Sequence, residues 1–586
     1  MITNILDYLE RSAERFPDKI AFGDTKREIT YRQLVREAKA IGSLFASYGF
    51  RKKPVAVVTD HTVECLITFL GIVYSGNFYV PVDGKLPAAR IQAILGVSQP
   101  QVIVVPQKEA ESFTDFAEGA KLLVREEIKK EMIDEEMLAK IRRTHLDTDP
   151  LYLIFTSGST GIPKGVLVCH RSVIDLAEQF ADTFGFDENE VFANQAPFDF
   201  DVSVKDIYST LRNGASLYIV PQAMFSMPKA LLPYLNEHKV STVIWAVSAL
   251  SVLSAMRVLD KGTPQYLRKI MFSGEVMPVK VLNYWRGHLP QAMFVNLYGP
   301  TEITCNCTYY ILDREFSGQE ALPIGEAFKN TEILLLNEDG TDTAAGETGE
   351  ICVRGTCLAH GYYRNPEATA KAFRQNPRNS AYPEMIYHTG DYGRYNENGQ
   401  LMFAARRDWQ IKHMGHRIEL AEIESAVNAF EWVTRCCCQY DEAKGKIVLI
   451  YEAVEACDKR ILQELQKYLP KYMCPNRLIW MKKMPLNQRG KTDRVFLKQK
   501  CVDGDRLENY KEAVIQGENK EIEAFLSAQG VHCIQIETEE NLWKTLAETV
   551  APTRVYLSES IREIPREVQE NPYLRFVKDT DTKGGA

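Results

Sequence analysis

The chain has 586 residues, 45% of them hydrophobic and 25% charged, and a formal net charge of −8 at pH 7; that length exceeds a single hydrophobic core and corresponds to roughly three or four domains. The acidic balance argues against a nucleic-acid face, and no apolar run approaches a membrane span. The opening "MITNILDYLERSAERFPDKIAF" carries its charges inside an amphipathic helical pattern and reads as neither a signal nor a transit peptide.

From Ile5 to about Val220, apolar stretches such as "VAVVTD", "PQVIVVPQ" and "LYLIFTSGSTG" alternate with helical patterns, the mark of parallel α/β layers. The alternation continues through "STVIWAVSAL", "RKIMFSGE" and "AMFVNLYGP". From about Thr331 the texture changes to "TEILLLNEDGTDTAAGETGEICVRG", strands bounded by Asp-Gly and Gly-Glu turns, which predicts a β-rich part over about 331–408. A small unit is expected over 409–500, with "ELAEIESAVNAF" as an amphipathic helix, "KIVLIYEAV" as a strand and the run Cys436-Cys437-Cys438 strand-like. In the tail, 501–586, the stretch "NKEIEAFLSAQGVHCIQIETEENLWKTLAETVAPTRVYLSES" reads helix–strand–helix–strand, and the end, "VKDTDTKGGA", is expected to be disordered. The 13 cysteines are scattered, and Cys305 and Cys307 lack a second pair at zinc spacing, so they read as reduced packing residues of a cytoplasmic protein. The predicted fold class is α/β: a large N-terminal domain of layered sheets over 1–408 with its β-rich part, a small mobile α+β C-terminal domain, and an extra α/β-like tail.

The stretch "IFTSGSTGIPKGVLVCH", Ile154 to His170, packs Thr156, Ser157, Ser159 and Thr160 among Gly158, Gly161 and Gly165, and adds Lys164. Glycines let a backbone turn tightly and expose its N–H groups, while hydroxyls and an ammonium supply further donors. Such a set makes a phosphate cradle. It is not the common P-loop, because no Gly-Lys-Ser/Thr follows at the required spacing. By composition alone the same residues form an ordinary Gly/Ser loop, so its partners elsewhere decide its use.

Those partners are "TYRQL" (Thr30 to Leu34), "YVPVDGKLPAARI" (Tyr79 to Ile91), "NLYGPTEIT" (Asn296 to Thr304), "YHTGDYGRYNENGQL" (Tyr387 to Leu401) and "PLNQRGKTDR" (Pro485 to Arg494). With them in this order, the chain from about Asn4 to Leu497 resembles the adenylate-forming superfamily, specifically the amino-acid-activating domains of nonribosomal peptide synthetases and D-alanine–carrier protein ligases. The resemblance implies ATP and Mg²⁺. It assigns Thr156, Ser157, Gly158, Ser159, Thr160, Gly161 and Lys164 to the nucleotide, together with Gly274, Glu275, Asn296 and Gly299. Tyr298 would stack on adenine, Thr301 bind the α-phosphate, Glu302 hold the metal, Asp391 accept from the ribose diol, and Arg406 contact ribose and phosphate. Lys491 would bridge the substrate carboxylate and the phosphate oxygens, because a reaction that brings two anions together needs positioned cations more than a nucleophile or base. Asp408 matches a hinge, and "QIKHMGHRIELAEIE" (Gln410 to Glu424) matches the loop that enters the site for thiol acylation, where Gly415 would let a narrow arm pass. Ala405, Arg489 and His416 depart from the usual glycine, asparagine and tyrosine, and none removes a charge the chemistry needs.

Within "PFDFDVSVKDIY" (Pro197 to Tyr208), Asp201 occupies the place at which amino-acid activators bind the substrate ammonium. An acid without that ammonium would leave a buried anion uncompensated, at a cost of several kcal/mol. The resemblance lines the side-chain pocket with Val202, Lys205, Trp245, Met271, Ser273, Leu297, Cys305 and Asn306. A large Trp245 and the hydrogen-bonding Ser273 and Asn306 point to a small amino acid such as serine or alanine, of either hand. An inward-pointing Lys205 would instead favour an acidic side chain, and a snorkelling one would say little. With no carrier domain recognisable in the chain, the expected partner is a phosphopantetheine-bearing carrier protein supplied in trans. An acyl- or aryl-CoA ligase of the same fold, or a catalytically silent adenylate-binding protein, are the alternatives.

Overall fold

The computed structural model describes residues 2–128, 132–157, 162–317, 320–406, 410–442, 444–485 and 492–503. Beyond these it describes four strands within 512–577 and the helical residues Leu542, Leu546 and Val568. The chain clusters into two compact units, one ending at Ile418 and the other beginning at Glu419.

In the first unit, two large sheets form among the described residues. The longer runs Glu326–Ala327, Thr308–Ile311, Met293–Tyr298, Lys269–Ser273, Thr242–Ala246, Val191–Asn194, Ser216–Ile219, Ile20–Gly23 and Glu28–Thr30 in order across the sheet. Its middle pairs are parallel and its outer strands antiparallel. The second runs Gly361–Tyr362, Lys164–Cys169, Pro150–Thr156, Phe78–Asp83, Pro54–Thr59, Val102–Val105 and Lys121–Val124. One core cluster joins side chains from both sheets and the helices Tyr31–Ser47, Val63–Tyr74, His170–Phe184 and Val202–Asn213, and separate clusters pack against other faces of the sheets. The β-rich part expected from about Thr331 is an antiparallel sheet of Thr331–Leu336, Gly349–Gly355, Met385–Tyr395, Phe373–Gln375 and Leu401–Arg406.

Local sequence explains the two helices at the heart of this core. The "TYRQL" stretch opens helix Tyr31–Ser47 with a reciprocal cap: Thr30 accepts from the Gln33 N–H, and the Gln33 side chain accepts from the Thr30 N–H at 3.0 Å. Helix Val63–Tyr74 is apolar nearly all round and is buried along its whole length, which is what lets it lie between other layers. The two cross where glycines remove side chains: a Cβ on Gly71 would come within 2.5 Å of Ile41 Cγ2, and one on Gly42 within 2.5 Å of Tyr74 Cβ.

The second unit contains a sheet of Arg435–Asp441, Lys446–Glu452 and Arg477–Met481, the first pair antiparallel and the second parallel. Helix Leu420–Asn428 carries Glu424, whose carboxylate pairs with Arg494 at 2.6 Å, and the three-cysteine run is indeed a buried strand segment. In the tail, strands form at His532–Ile536 and Thr553–Tyr556, inside the stretch read as helix–strand–helix–strand, and two more flank it. Strands Glu512–Gln516, His532–Ile536, Thr553–Tyr556 and Leu574–Val577 form a parallel sheet in the order second, first, third, fourth. Val577, expected in a disordered end, closes the last strand; 578–586 lie outside the described residues. Among the described residues no helix is long and apolar enough to cross a membrane.

Replacing Gly42 by valine should drive branched carbons into Tyr74 and the Gly71 carbonyl, 3.1 Å from an added Cβ. A loss of about 1–3 kcal/mol is expected, read as a lower unfolding midpoint in denaturant, with Ser43→Ala as a nearby control.

Candidate active site

The Gly/Ser-rich stretch expected to cradle phosphate links two antiparallel strands: Thr156 ends Pro150–Thr156, Lys164 begins Lys164–Cys169, and the two are register partners. Gly158, Ser159, Thr160 and Gly161 lie outside the described residues. Ser157 is buried and its Oγ donates to the Arg417 carbonyl at 2.8 Å. The Lys164 ammonium stands 5.4 Å from the centre of the Tyr362 ring, within cation–π range, and the Tyr362 hydroxyl donates to Glu302 Oε1 at 2.7 Å. The cradle is thus joined directly to the "GPTE" turn.

That turn follows strand Met293–Tyr298, whose last residue donates from its hydroxyl to Asp391 Oδ2 at 2.7 Å. Asp391 in turn is the backbone register partner of Arg406. Gly299 is required by space: a Cβ there would meet Asn306 Cα at 2.6 Å and the Cys305 carbonyl at 2.7 Å. After the short helical turn Thr301–Ile303, two consecutive non-glycine residues take left-handed backbone angles, Thr304 at φ +56° and Cys305 at φ +80°. Thr304 Oγ1 anchors the reversal on the Cys357 carbonyl at 2.8 Å.

Glu302 is 1% exposed and ion-paired: Arg417 Nη1 lies 2.8 Å from its Oε2 and 3.1 Å from its Oε1. Burial by itself would raise the Glu302 pKa, but Arg417 and the Tyr362 and Tyr387 hydroxyls outweigh it and hold the carboxyl below its ordinary range. Arg417 comes from a hairpin, Gln410–His413 and His416–Glu419, whose tip is Gly415 at φ +82°. The Gly415 N–H donates to Glu275 Oε1 at 2.7 Å, and a Cβ on Gly415 would touch Ala246 at 3.4 Å. Burial raises the Glu275 pKa and the Gly415 N–H opposes it. Lys412 Nζ is 5.8 Å from the Tyr298 ring centre. His416 packs its ring 5.4 Å from Phe200, and burial lowers its pKa to about 4, so it is neutral at pH 7. Gly274, at φ +96°, precedes Glu275 and leaves open space where a Cβ would be.

Asp201 sits at the start of helix Val202–Asn213 but does not cap it. Its carboxyl is buried, which raises its pKa, and a hydrogen bond with the Thr301 side chain and the charges of Lys205 and Lys412 oppose that rise. Cys305 Sγ donates to the Asp201 carbonyl oxygen at 3.4 Å. One turn along the helix, Lys205 is 1% exposed, and its Nζ donates to Ser273 Oγ at 3.0 Å. Lys205 does not snorkel. Val202 is buried at the first helical position. Strand register puts Met271 and Ser273 on one face with Val295 and Leu297. Asn306 is buried, and neither amide atom has a hydrogen-bond partner among the described residues.

Two expected site residues face elsewhere. Trp245 is the register partner of Phe272, so it shares the opposite face of the sheet; its indole N–H donates to the Ala193 carbonyl at 2.8 Å and its ring packs edge-on against Phe225. Ile244 and Ala246 take the face of Met271 and Ser273 instead. A wall drawn with Trp245 therefore has to be redrawn without it. Asn296 is also partnered with Phe272, and its amide donates to the Pro323 carbonyl at 2.8 Å. Lys491 and Asp408 lie outside the described residues, as does the Arg406 side chain. The sequence reading did not single out Arg417, Lys412, Tyr362 or Tyr152. Tyr152 is fully buried near the Asp201 charge, and its hydroxyl has no partner among the described residues. Arg417 and Lys412 lay within a motif already recognised, while nothing local marks the two tyrosines.

The AMP-binding enzyme family model matches residues 9–363, and the AMP-binding enzyme C-terminal domain model matches residues 422–491. A D-alanine–D-alanyl carrier protein ligase of Bacillus cereus (strain B4264) is 32% identical over 513 residues, 84% of this chain and 98% of that protein. Tyrocidine synthase 1 of Brevibacillus parabrevis is 30% identical over 539 residues, 91% of this chain; the chain spans about half of that relative, 48% of its length. Among solved structures, holo-PA1221, described as an NRPS protein containing adenylation and PCP domains, superposes with a TM-score of 0.73 at 24% identity, covering 85% of this chain and 84% of that one. IdnL1 gives 0.71 at 25% identity, covering 83% of this chain and 99% of its own. The chain belongs to the AMP-binding enzyme family, the adenylate-forming superfamily toward which its motifs pointed.

Proposed function

We propose that the protein uses ATP to activate an amino acid as its aminoacyl-adenylate and then transfers the aminoacyl group to the phosphopantetheine thiol of a carrier protein. The observation that carries the amino-acid reading is Asp201: a buried carboxylate that caps no helix and is hydrogen-bonded to the Thr301 side chain. A substrate ammonium there would compensate a charge that is otherwise costly to bury. The B. cereus relative, of which the chain covers 98%, is by its name an amino acid–carrier protein ligase, which supports the same reading.

In the first half-reaction a substrate carboxylate oxygen bonds to the α-phosphorus of ATP, and the bond from that phosphorus to the bridging oxygen breaks to release pyrophosphate. Thr156, Ser157 and Lys164 with the glycines of the cradle would hold the phosphates, Tyr298 the adenine, Asp391 the ribose, and Thr301 the α-phosphate. Lys491 would bridge the two reacting anions, which lowers their mutual repulsion as they meet. Glu302, buried and ionised, is a donor of the hard-oxygen type suited to Mg²⁺, which when bound would neutralise phosphate charge. In the second half-reaction the thiol sulfur bonds to the carbonyl carbon and AMP leaves. The hairpin carrying Lys412, Gly415 and Arg417 against Tyr298, Glu275 and Glu302 fits this step. Here Arg417 supplies the positive charge that Glu302 needs.

Amino-acid-dependent ATP–pyrophosphate exchange tests the first half directly, and aminoacylation of a phosphopantetheinylated carrier against free CoA tests the second. Exchange that ignores the amino group, or acylation of CoA in preference to a carrier, would remove this reading. Asp201→Asn should lower kcat/KM for the amino acid at least about 100-fold, through loss of the ammonium's counter-ion, while nucleotide affinity changes little. Arg417→Leu should leave pyrophosphate exchange within about threefold and slow carrier loading about tenfold or more, measured in single turnover from preformed adenylate.

A further inference from the structure

Building on the amino-acid reading above, we propose that the substrate is an α-amino acid with a side-chain carboxylate, which Lys205 receives. Four observations carry this. Lys205 projects from the same helix as Asp201, one turn further on, and is 1% exposed. Its Nζ donates to Ser273 Oγ at 3.0 Å, and Cys305 lies within hydrogen-bonding reach of it. No carboxylate oxygen lies within 4.0 Å of Nζ among the described residues, so the ammonium sits in the interior without a direct ion-pair partner. Asn306, next to Cys305, is buried with both amide atoms unsatisfied among the described residues.

Charge balance then selects the ligand. Two acidic neighbours could oppose the ammonium: Asp201 and Asp206. Burial pushes the Asp206 carboxyl up to about 8, against the pull of Asn194 and Lys205, so it is largely neutral at pH 7. Asp201 is claimed by the substrate's ammonium, and the substrate's α-carboxylate is directed at the nucleotide. A neutral amino acid would therefore fill the pocket and leave Lys205 desolvated and unpaired, whereas an acidic side chain brings the missing charge. Ser273 and Asn306 can complete the hydrogen bonding of that carboxylate, which has acceptor capacity for several donors. The expectation of serine or alanine rested on a Trp245 that shortened the cavity and on the hydrogen bonds of Ser273 and Asn306, with an inward-pointing Lys205 named as the feature that would favour an acid instead. The structure shows Lys205 buried and Trp245 on the other face of the sheet.

The deciding experiment is ATP–pyrophosphate exchange with the full-length wild-type chain and the L- and D-forms of aspartate, glutamate, asparagine, glutamine, serine and alanine. An acidic amino acid should exceed its own amide and the small neutral ones in kcat/KM by at least about 100-fold. The aspartate and glutamate arms distinguish the two chain lengths. Lys205→Met should lose about 100-fold with the acidic substrate, mainly in KM, and gain relative preference for the amide. Strong exchange with serine or alanine and little with either acid would overturn the proposal while leaving amino-acid activation intact. Exchange with no amino acid would overturn both readings. The wild-type panel is decisive even if the Lys205 variant fails to fold.

Discussion

A carboxylate that is almost wholly out of water must keep a cation, and Glu302 is such a group. Everything else at the site is arranged around that requirement. Tyr362 joins Glu302 to Lys164 and thus to the cradle, and Arg417 joins it to the hairpin whose tip meets Glu275. Thr301, the residue before it, reaches Asp201, the proposed partner of a substrate ammonium. Pairing with Arg417 keeps Glu302 ionised, and the same ionised oxygens are those a divalent cation would use. Guanidinium and metal are therefore alternative answers to one electrostatic need.

The scaffold concentrates these groups by polarity. Strands Thr242–Ala246, Lys269–Ser273 and Met293–Tyr298 run parallel, so their carboxyl ends and the turns after them open on the same side. Alternation along each strand then sorts neighbours that are adjacent in sequence. Met271, Ser273 and Leu297 share one face of the sheet, while Phe272, Trp245 and Asn296 turn to the other. The left-handed pair Thr304 and Cys305 brings the chain back under Gly299, where any side chain would collide, and so sets Cys305 beside Asp201.

Much of the fold was legible because local rules carry it. "TYRQL" is a capping box, "TEILLL" and "GEICVRG" pair as strands, and the cradle's ends are register partners. The tail was only half legible: Glu512–Gln516 and Leu574–Val577 are short strands that hydrogen-bond far along the chain and leave little periodic trace. The motifs name Asp201, Glu302, Tyr298 and Asp391 as candidates, and the structure buries all four. Arg417 escaped notice because its value lies in a partner 115 positions away. Trp245 was misjudged because size in a sequence says nothing about which side of a sheet a residue faces.

The sequence by itself determined which donors, acceptors and charges this protein carries and the order of its motifs, because those are covalent facts that bear on chemistry directly. Only the tertiary structure decided where charge is balanced. It paired Glu302 with Arg417, turned Trp245 away from the pocket, and buried Lys205 against Ser273, 68 positions distant, without a carboxylate within ion-pairing distance among the described residues. Compensation of a buried charge depends on distance and desolvation, and both come into existence only when the chain is folded.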